Sequence, residues 1–212
     1  MAPIEELRFA TADGVELEAE LCLAPTPVAA AVLCHPHPQY GGSMRAGIMG
    51  DLFRELPAHG VTTLRFNFRG VERSAGAWDG GRGERDDVAA AVGTLAGRVP
   101  STLPLALVGW SFGGDMALSV HDPRIAGWCA IAPPLHDASG LEGLATDPRP
   151  KHLVLGERDE VVSAEQVGRR AAGWAATTTE VVAGATHFFV GRAREVVDAV
   201  TDFCTTRIAP TR

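Results

Sequence analysis

The sequence predicts an α/β fold with a mostly parallel sheet of about eight strands and helices on both faces. Short apolar runs alternate along the chain with segments in which apolar residues recur every three or four positions, the patterns of buried strands and amphipathic helices. The runs are apolar almost throughout, as expected for strands covered on both faces. Two alternating runs around a turn at 12–14 add an antiparallel hairpin at the start of the chain.

The strands after the hairpin are predicted from apolar and β-branched runs that end in glycine, proline or polar loops. Several of these runs, such as "VAAAVLCH" and "LPLALVGW", contain no charged residue. We expect strands at 28–35, 61–68, 103–110, 124–132, 151–156 and 177–184.

The helices are predicted from apolar periodicity and from capping residues. Ser43 is a candidate N-cap for a helix that stops near Pro57, and Ser163 with Gln166 resembles a capping box. The remaining helices are expected around 88–95, from Ser111 to about 122, and across 196–204.

Length and composition favour one globular domain, residues 1–212. The chain is 46% hydrophobic and 21% charged, with a net charge of −7. No basic stripe is visible, which argues against a nucleic-acid partner. We expect neither a secretion signal in the first residues nor a membrane span, because the apolar runs are too short. The four cysteines are widely separated, so we expect buried free thiols and a cytoplasmic location. We expect the protein to be a monomer or a homodimer.

The segment "LVGWSFGGDMAL" places Ser111 between Gly109 and Gly113, at the corner between a predicted strand and a predicted helix. Such a G-x-S-x-G turn strains the serine backbone and requires small neighbours, so that strand and helix can approach. The hydroxyl is then lifted above the carboxyl end of the sheet. The amide of Phe112 opens the helix beside it and can stabilise an anion there. The corner therefore predicts a nucleophile and one oxyanion donor.

A serine hydroxyl needs a base to take its proton, and in this class of turn the base follows the serine in the chain. His121 ends the helix of the serine, and His152 starts a strand at the opposite end of the sheet. His136 lies in a loop and remains a competitor. His187 directly follows the last strand, in "GATHFF", and is the favoured base.

The base in turn needs an acid that orients it. The segment "HLVLGERDEVV" leaves its strand at Gly156 and continues into an acidic loop. Asp159 is the best placed of these acids, with Glu157 and Glu160 as competitors.

These segments resemble the α/β-hydrolase superfamily, and more narrowly a small lid-less bacterial serine hydrolase group related to dienelactone hydrolases. The resemblance rests on "CHPHPQYGGSM", "RFNFRGVERSAGAWDGGRGERDD", "GWSFGG", "GERDEVV" and "GATHFF", in family order. It implies Ser111 as nucleophile, His187 as general base and Asp159 as its partner. Dienelactone hydrolases proper carry a cysteine at the nucleophile position, so the serine here does not carry over their lactone substrate.

The second oxyanion donor is expected in the loop "HPHPQYGG". Pro36 and Pro38 have no amide N–H, which leaves the backbone of His37, Gln39 or Tyr40. By resemblance to hydrolases of this fold, His37 is favoured and Tyr40 is second. His35 and His37 could alternatively form a metal pair, but no third ligand is spaced to join them, so we expect no metal and no cofactor.

The loops around the predicted serine set the expected shape of the site. Arg69, Glu84 and Asp87 are expected to form an ion-pair network that braces the glycine-rich loop after the fourth strand. The segment 133–150, with four prolines, is too short and irregular for a helical lid. We therefore expect an open, shallow cleft exposed to water. Its candidate apolar walls are Tyr40, Trp110, Phe112, Phe188 and Phe189.

The sequence thus predicts a serine hydrolase that acts on small carboxylic esters or thioesters with short acyl chains, with water as the second reactant. An acyltransferase or peptidase with the same three residues is the alternative within catalysis. A non-catalytic binding protein on the same fold is the alternative outside it.

Overall fold

The computed structural model describes residues 3–136 and 140–208. Its eight strands form one sheet in the order β1-β2-β4-β3-β5-β6-β7-β8. The strands are β1 Ile4–Ala10, β2 Glu16–Cys22, β3 Ala29–Cys34, β4 Val61–Phe66, β5 Leu105–Trp110, β6 Ile125–Ile131, β7 Lys151–Gly156 and β8 Thr177–Val182.

Strand pairing confirms the predicted mixture of directions. β1 pairs with β2, and β2 with β4, in antiparallel register. The pairings from β4 through β3, β5, β6 and β7 to β8 are all parallel. All strands from β3 onward therefore end at the same edge of the sheet, which is where ligands bind in open α/β sheets.

Helices cover both faces of this sheet. α2 and α3 lie on one face, whereas α1 and α6 lie together on the other. The helices are α1 Gly47–Glu55, α2 Arg82–Ala96, α3 Phe112–Leu118, α4 Glu142–Thr146, α5 Ala164–Arg170 and α6 Ala193–Asp202.

Successive residues of the central strands feed two separate apolar layers. In β3, Ala30 and Val32 pack beneath α2 and α3, whereas Ala31 and Leu33 pack beneath α1 and α6. A shift in register by one residue would exchange the two sets of side chains between the faces. Packing on both faces thus fixes where each strand ends, and with it the position of the loops that follow.

Two helix bounds differ from the sequence prediction. α1 begins at Gly47 with Ala46 as its N-cap, not at Ser43. The reason is tertiary, because the amide of Met44 donates to the side chain of Asn67 at 2.7 Å and the chain turns before the helix starts. α3 ends at Leu118, several residues earlier than predicted. The predicted N-cap Ser163 is confirmed and accepts a hydrogen bond from the amide of residue 166.

The loop between β4 and α2 is held by a buried ion pair. Asp87 receives two hydrogen bonds from the Arg69 guanidinium, at 2.9 and 2.8 Å, and one from the Arg69 amide at 2.9 Å. Asp13 pairs with the outer side of the same guanidinium at 2.9 Å. The prediction that Glu84 joins this network is wrong. Its carboxylate accepts the loop amides of Asp79 and of residue 81, at 2.9 and 2.8 Å, because α2 starts there with unpaired N–H groups.

All four cysteines are buried free thiols, as predicted. Across 3–136 and 140–208, no helix combines the length and the apolar character needed to cross a membrane.

Candidate active site

Ser111 lies at the turn between β5 and α3, with φ 54° and ψ −122°. Its amide donates to the carbonyl of Ile131 on the neighbouring strand at 2.8 Å. This positive φ is a region that non-glycine residues rarely adopt. The surrounding sheet and helix hold the residue in it.

The two glycines of the turn are required by close approach of the main chain. A Cβ added at Gly109 would lie 2.1 Å from the carbonyl oxygen of Gly113. A Cβ added at Gly113 would lie 2.2 Å from the carbonyl oxygen of Cys34 in β3. No side chain fits at either position, so the spacing of the motif follows from the packing of α3 onto the sheet.

His187 lies in the loop that follows β8 and reaches the serine. Its Nε2 is 3.0 Å from Ser111 Oγ. The loop is tied to β5 by the Trp110 indole, whose Nε1 donates to the His187 carbonyl at 3.2 Å. The His187 ring is buried, with 6% of the residue exposed. The imidazole is therefore fixed by the same strand that carries the serine.

Asp159 lies in the loop that follows β7, and its carboxylate is fully buried. Oδ2 is 2.8 Å from His187 Nδ1. Oδ1 accepts the amides of Val161 and Val162 at 2.9 and 2.7 Å. Both oxygens are thus engaged, and the side chain has one orientation. The structure brings Ser111, His187 and Asp159 together at the carboxyl ends of β5, β8 and β7.

The competing acids lie elsewhere. Glu157 is exposed and accepts the amide of Gly184 at 2.7 Å. Glu160 is exposed as well. Neither replaces Asp159 beside the imidazole.

The competing histidines are used by other contacts. The His121 ring is 3.1 Å from the carbonyl of Gly140, and the His152 ring is 2.8 Å from the hydroxyl of Thr178. His136 does line the cleft, but its side chain is exposed and, within the described part of the chain, makes no hydrogen bond to the serine.

The loop after β3 contains the three amides considered as oxyanion donors, those of His37, Gln39 and Tyr40. The amides of Gln39, Tyr40 and Gly42 all turn towards His37: the first donates to its ring at 3.2 Å and the other two to its carbonyl at 3.1 Å. The structure thus disfavours the Tyr40 amide as an oxyanion donor. The His37 amide has no acceptor among the described residues. The Phe112 amide opens α3, where the first N–H groups have no partner within the helix.

His35 anchors this loop from below. Its ring is fully buried, donates through Nδ1 to the Pro36 carbonyl at 2.6 Å and accepts the Phe68 amide at Nε2, at 3.1 Å. Burial lowers the pKa of His35 to about 4, so the ring is neutral. Since both ring nitrogens are engaged, His35 offers none to a metal ion shared with His37.

A cleft of about 830 Å³ opens above the serine. One side is formed by four rings that we call the aromatic wall: His37, Tyr40, Trp78 and Phe112. Trp78 was not predicted as a site residue. The available signal was a single tryptophan in an otherwise glycine-rich loop, and nothing in the local pattern gave its direction.

The other side of the cleft is built on Trp110 and Phe188. The Phe188 ring packs edge-on against Trp110, with ring centres 6.2 Å apart, and against His187 at 5.6 Å. Phe188 is 58% exposed at the rim. The expectation that Phe189 also lines the cleft is wrong, because its φ of 50° turns the side chain into the core beneath α6.

The segment between β6 and β7 adds little over this cleft. Its described part contains α4, of five residues, and the prediction of no helical lid is confirmed. Residues 137–139 of the segment lie outside the described residues. Tyr40 at the cleft edge is 86% exposed.

Comparison with known proteins shows the family to which the chain belongs. The family described as an alpha/beta hydrolase domain matches residues 29–206. An uncharacterized protein from Rickettsia prowazekii is 32% identical over an alignment of 186 residues, with 83% of this chain and 78% of the relative covered.

Solved structures give the same result. An alpha-beta serine hydrolase homologue from Coxiella burnetii is 31% identical, with a TM-score of 0.84 over 95% of this chain and 97% of that one. An a/b serine hydrolase without lid from Xanthomonas campestris is 26% identical, with a TM-score of 0.85 over 100% and 98%. The family match over residues 29–206 shows that the chain belongs to the α/β hydrolase family, and its fold is similar to that of a serine hydrolase without a lid.

Proposed function

We propose that this hydrolase cleaves small carboxylic esters or thioesters through Ser111, His187 and Asp159. The observation that carries the proposal is the continuous chain of contacts from Ser111 Oγ to His187 Nε2 at 3.0 Å and from His187 Nδ1 to Asp159 Oδ2 at 2.8 Å. The buried carboxylate accepts a hydrogen bond from Nδ1–H, so the imidazole proton stays on Nδ1. Nε2 is then the acceptor that faces the serine.

In the first half of the reaction, His187 Nε2 takes the proton of Ser111 Oγ while Oγ attacks the ester carbonyl carbon. The carbonyl oxygen becomes an oxyanion, which the Phe112 and His37 amides stabilise by donating hydrogen bonds. The tetrahedral intermediate collapses and breaks the bond to the leaving oxygen or sulfur. That atom takes the proton from His187, and the acyl group stays on Oγ.

In the second half, water replaces the leaving group. His187 takes a proton from the water as its oxygen attacks the acyl carbon, and Oγ leaves with that proton. The products are a carboxylic acid and the restored serine. The absence of a lid in the described part of the chain supports hydrolysis, because water reaches the acyl-enzyme from the open side of the cleft.

The shape of the cleft supports short acyl chains. About 830 Å³ lies within the range of small-molecule sites, but much of its edge consists of exposed side chains such as Tyr40 and Phe188. A long chain would run into water and gain little binding. A series of p-nitrophenyl esters tests this: acetate and butyrate should turn over faster than laurate, and a preference for laurate would contradict the proposal.

The nucleophile itself is tested with a fluorophosphonate probe and mass spectrometry of the labelled peptide. The peptide with Ser111 should carry the label, and Ser111→Ala should abolish both labelling and turnover, with a loss of at least about a thousandfold. Ser119→Ala is the matched control, because its hydroxyl only caps the end of α3 through the Met116 carbonyl at 2.8 Å. Labelling that survives in Ser111→Ala would place the nucleophile elsewhere.

A further inference from the structure

This inference rests on the proposed function. In that function, one side of the cleft faces the acyl group of the ester and the other faces the leaving group. His187 must reach the leaving atom to protonate it, so the leaving group lies beside the Phe188 ring that packs against His187. In the proposed mechanism, the carbonyl oxygen accepts hydrogen bonds from the amides of Phe112 and His37. The rings of those two residues belong to the aromatic wall, so the acyl group lies against this wall.

The aromatic wall is a preformed surface. The rings of His37, Trp78 and Phe112 touch one another, with centres 4.6, 5.0 and 5.1 Å apart, and Tyr40 packs on His37 at 4.6 Å. From below, Phe68 supports Phe112 at 5.5 Å. Aromatic rings attract one another in offset or edge-on arrangements beyond the gain from burying area alone. A further ring placed on this wall would find several such partners.

The lining of the cleft contains an acidic side chain but no strongly basic one among the described residues. The described residues that line it include no lysine and no arginine. Asp115 contributes a carboxylate, which accepts the amides of Leu135 and His136 at 2.8 and 3.1 Å. Burial lowers the pKa of His37, which favours a neutral ring in the wall. A carboxylate on the substrate would therefore lose water without gaining a cationic partner.

From these two features we infer that the enzyme selects esters whose acyl group is uncharged and carries an aromatic ring, seated on the aromatic wall, and that it rejects esters with a carboxylate on the acyl group. The selectivity resides in the acyl half of the substrate, since of the two rings on the leaving-group side, Trp110 is buried and Phe188 is the exposed one.

Two matched pairs of p-nitrophenyl esters test the inference, because the common leaving group cancels in each ratio. The kcat/KM for phenylacetate should exceed that for cyclohexylacetate about two- to tenfold, which is the range expected for one aromatic contact. The kcat/KM for butyrate should exceed that for hemiglutarate, which carries a carboxylate on the acyl chain, at least about tenfold. A ratio near one in either pair overturns the corresponding half of the inference.

Variants separate a specific contact from a general effect. Trp78→Leu should bring the phenylacetate to cyclohexylacetate ratio close to one, Trp78→Phe should keep most of it, and Phe188→Leu should leave it unchanged. Tyr40→Arg places a cation at the exposed end of the wall and should raise the hemiglutarate to butyrate ratio several-fold. Equal losses for both esters of a pair in Trp78→Leu, with an unchanged melting temperature, would overturn the assignment of the wall.

The proposed function and this inference fail differently. If no ester turns over, or if turnover persists in Ser111→Ala, the proposed function is wrong. If turnover depends on Ser111 but the two ratios stay flat, the hydrolase proposal stands and the acyl selectivity is refuted.

Discussion

Replacing Asp159 by asparagine tests the proposed mechanism most sharply, because the structure dictates how the new side chain would sit. The amides of Val161 and Val162 both donate to Oδ1, at 2.9 and 2.7 Å. An asparagine must place its oxygen there, since the opposite orientation would set an NH₂ group against two buried donors. The NH₂ group then faces His187 Nδ1.

This orientation forces the wrong proton arrangement on the imidazole. Nδ1 must accept a hydrogen bond from the asparagine, so the proton moves to Nε2, which then cannot take the proton of Ser111 3.0 Å away. Turning the amide round to restore the tautomer costs about 1–3 kcal/mol for each orphaned donor. In a serine protease with this triad, the same substitution lowers kcat about 10⁴-fold, equivalent to about 5 kcal/mol in the activation free energy. We expect Asp159→Asn to lose about 10³- to 10⁴-fold in kcat.

The assay is hydrolysis of p-nitrophenyl acetate, followed by absorbance, with thermal unfolding of each variant measured alongside. Glu160→Gln removes an exposed carboxylate from the next residue and should retain kcat within about twofold, since surface substitutions away from special features have small effects. A folded Asp159→Asn enzyme within tenfold of the parent kcat would refute the role given to this carboxylate.

Three further predictions concern the framework around the site. They start with Gly113→Ala, which should destabilise the protein severely in urea denaturation because its Cβ would overlap main-chain carbonyls. Gly168→Ala, in open space on α5, should instead raise the free energy of unfolding by about 0.5–1 kcal/mol. Similar effects at the two sites would contradict the packing argument. Lowering the pH from 6.5 towards 4 should reduce the free energy of unfolding by up to about 3 kcal/mol through His35. The reason is that burial lowers the pKa of His35 to about 4 in the folded protein, whereas the unfolded chain binds that proton near pH 6.5. An NMR titration of this ring with a midpoint near 6.5 would refute the prediction. Asp87→Asn should lower the free energy of unfolding by about 3 kcal/mol, because the buried Arg69 guanidinium loses its inner partner, and a change below 1 kcal/mol in the same assay would show that the pair contributes little.

The order of strands and helices was predictable because each buried strand is marked by an apolar run that both faces of the sheet require. The exact bounds were not. α1 starts at Gly47 and not at Ser43 because Asn67, a residue distant in sequence, captures the amide of Met44. Local capping rules contain no information about such a contact.

The candidate site divides in the same way. Ser111, Asp159 and His187 could be proposed because each lies shortly after a strand and because their order along the chain is that of the nucleophile-elbow class. A local sequence pattern does not determine the direction in which a loop side chain points. For this reason Trp78 is absent from the predicted site, and the prediction that Phe189 lines the cleft is wrong. The predicted pairing of Glu84 with Arg69 rests on charge alone. In the structure, the Glu84 carboxylate instead accepts hydrogen bonds from main-chain amides at the start of α2.

The positive φ of Ser111 carries a thermodynamic consequence for the whole molecule. A backbone in this region costs about 1–3 kcal/mol, which the native state must offset elsewhere. Glycine adopts such angles freely, so Ser111→Gly should melt at a higher temperature than Ser111→Ala even though both are inert. On the proposed function, the need for the hydroxyl therefore keeps the protein less stable than its fold allows, and the glycine variant gains heat resistance only by losing the nucleophile.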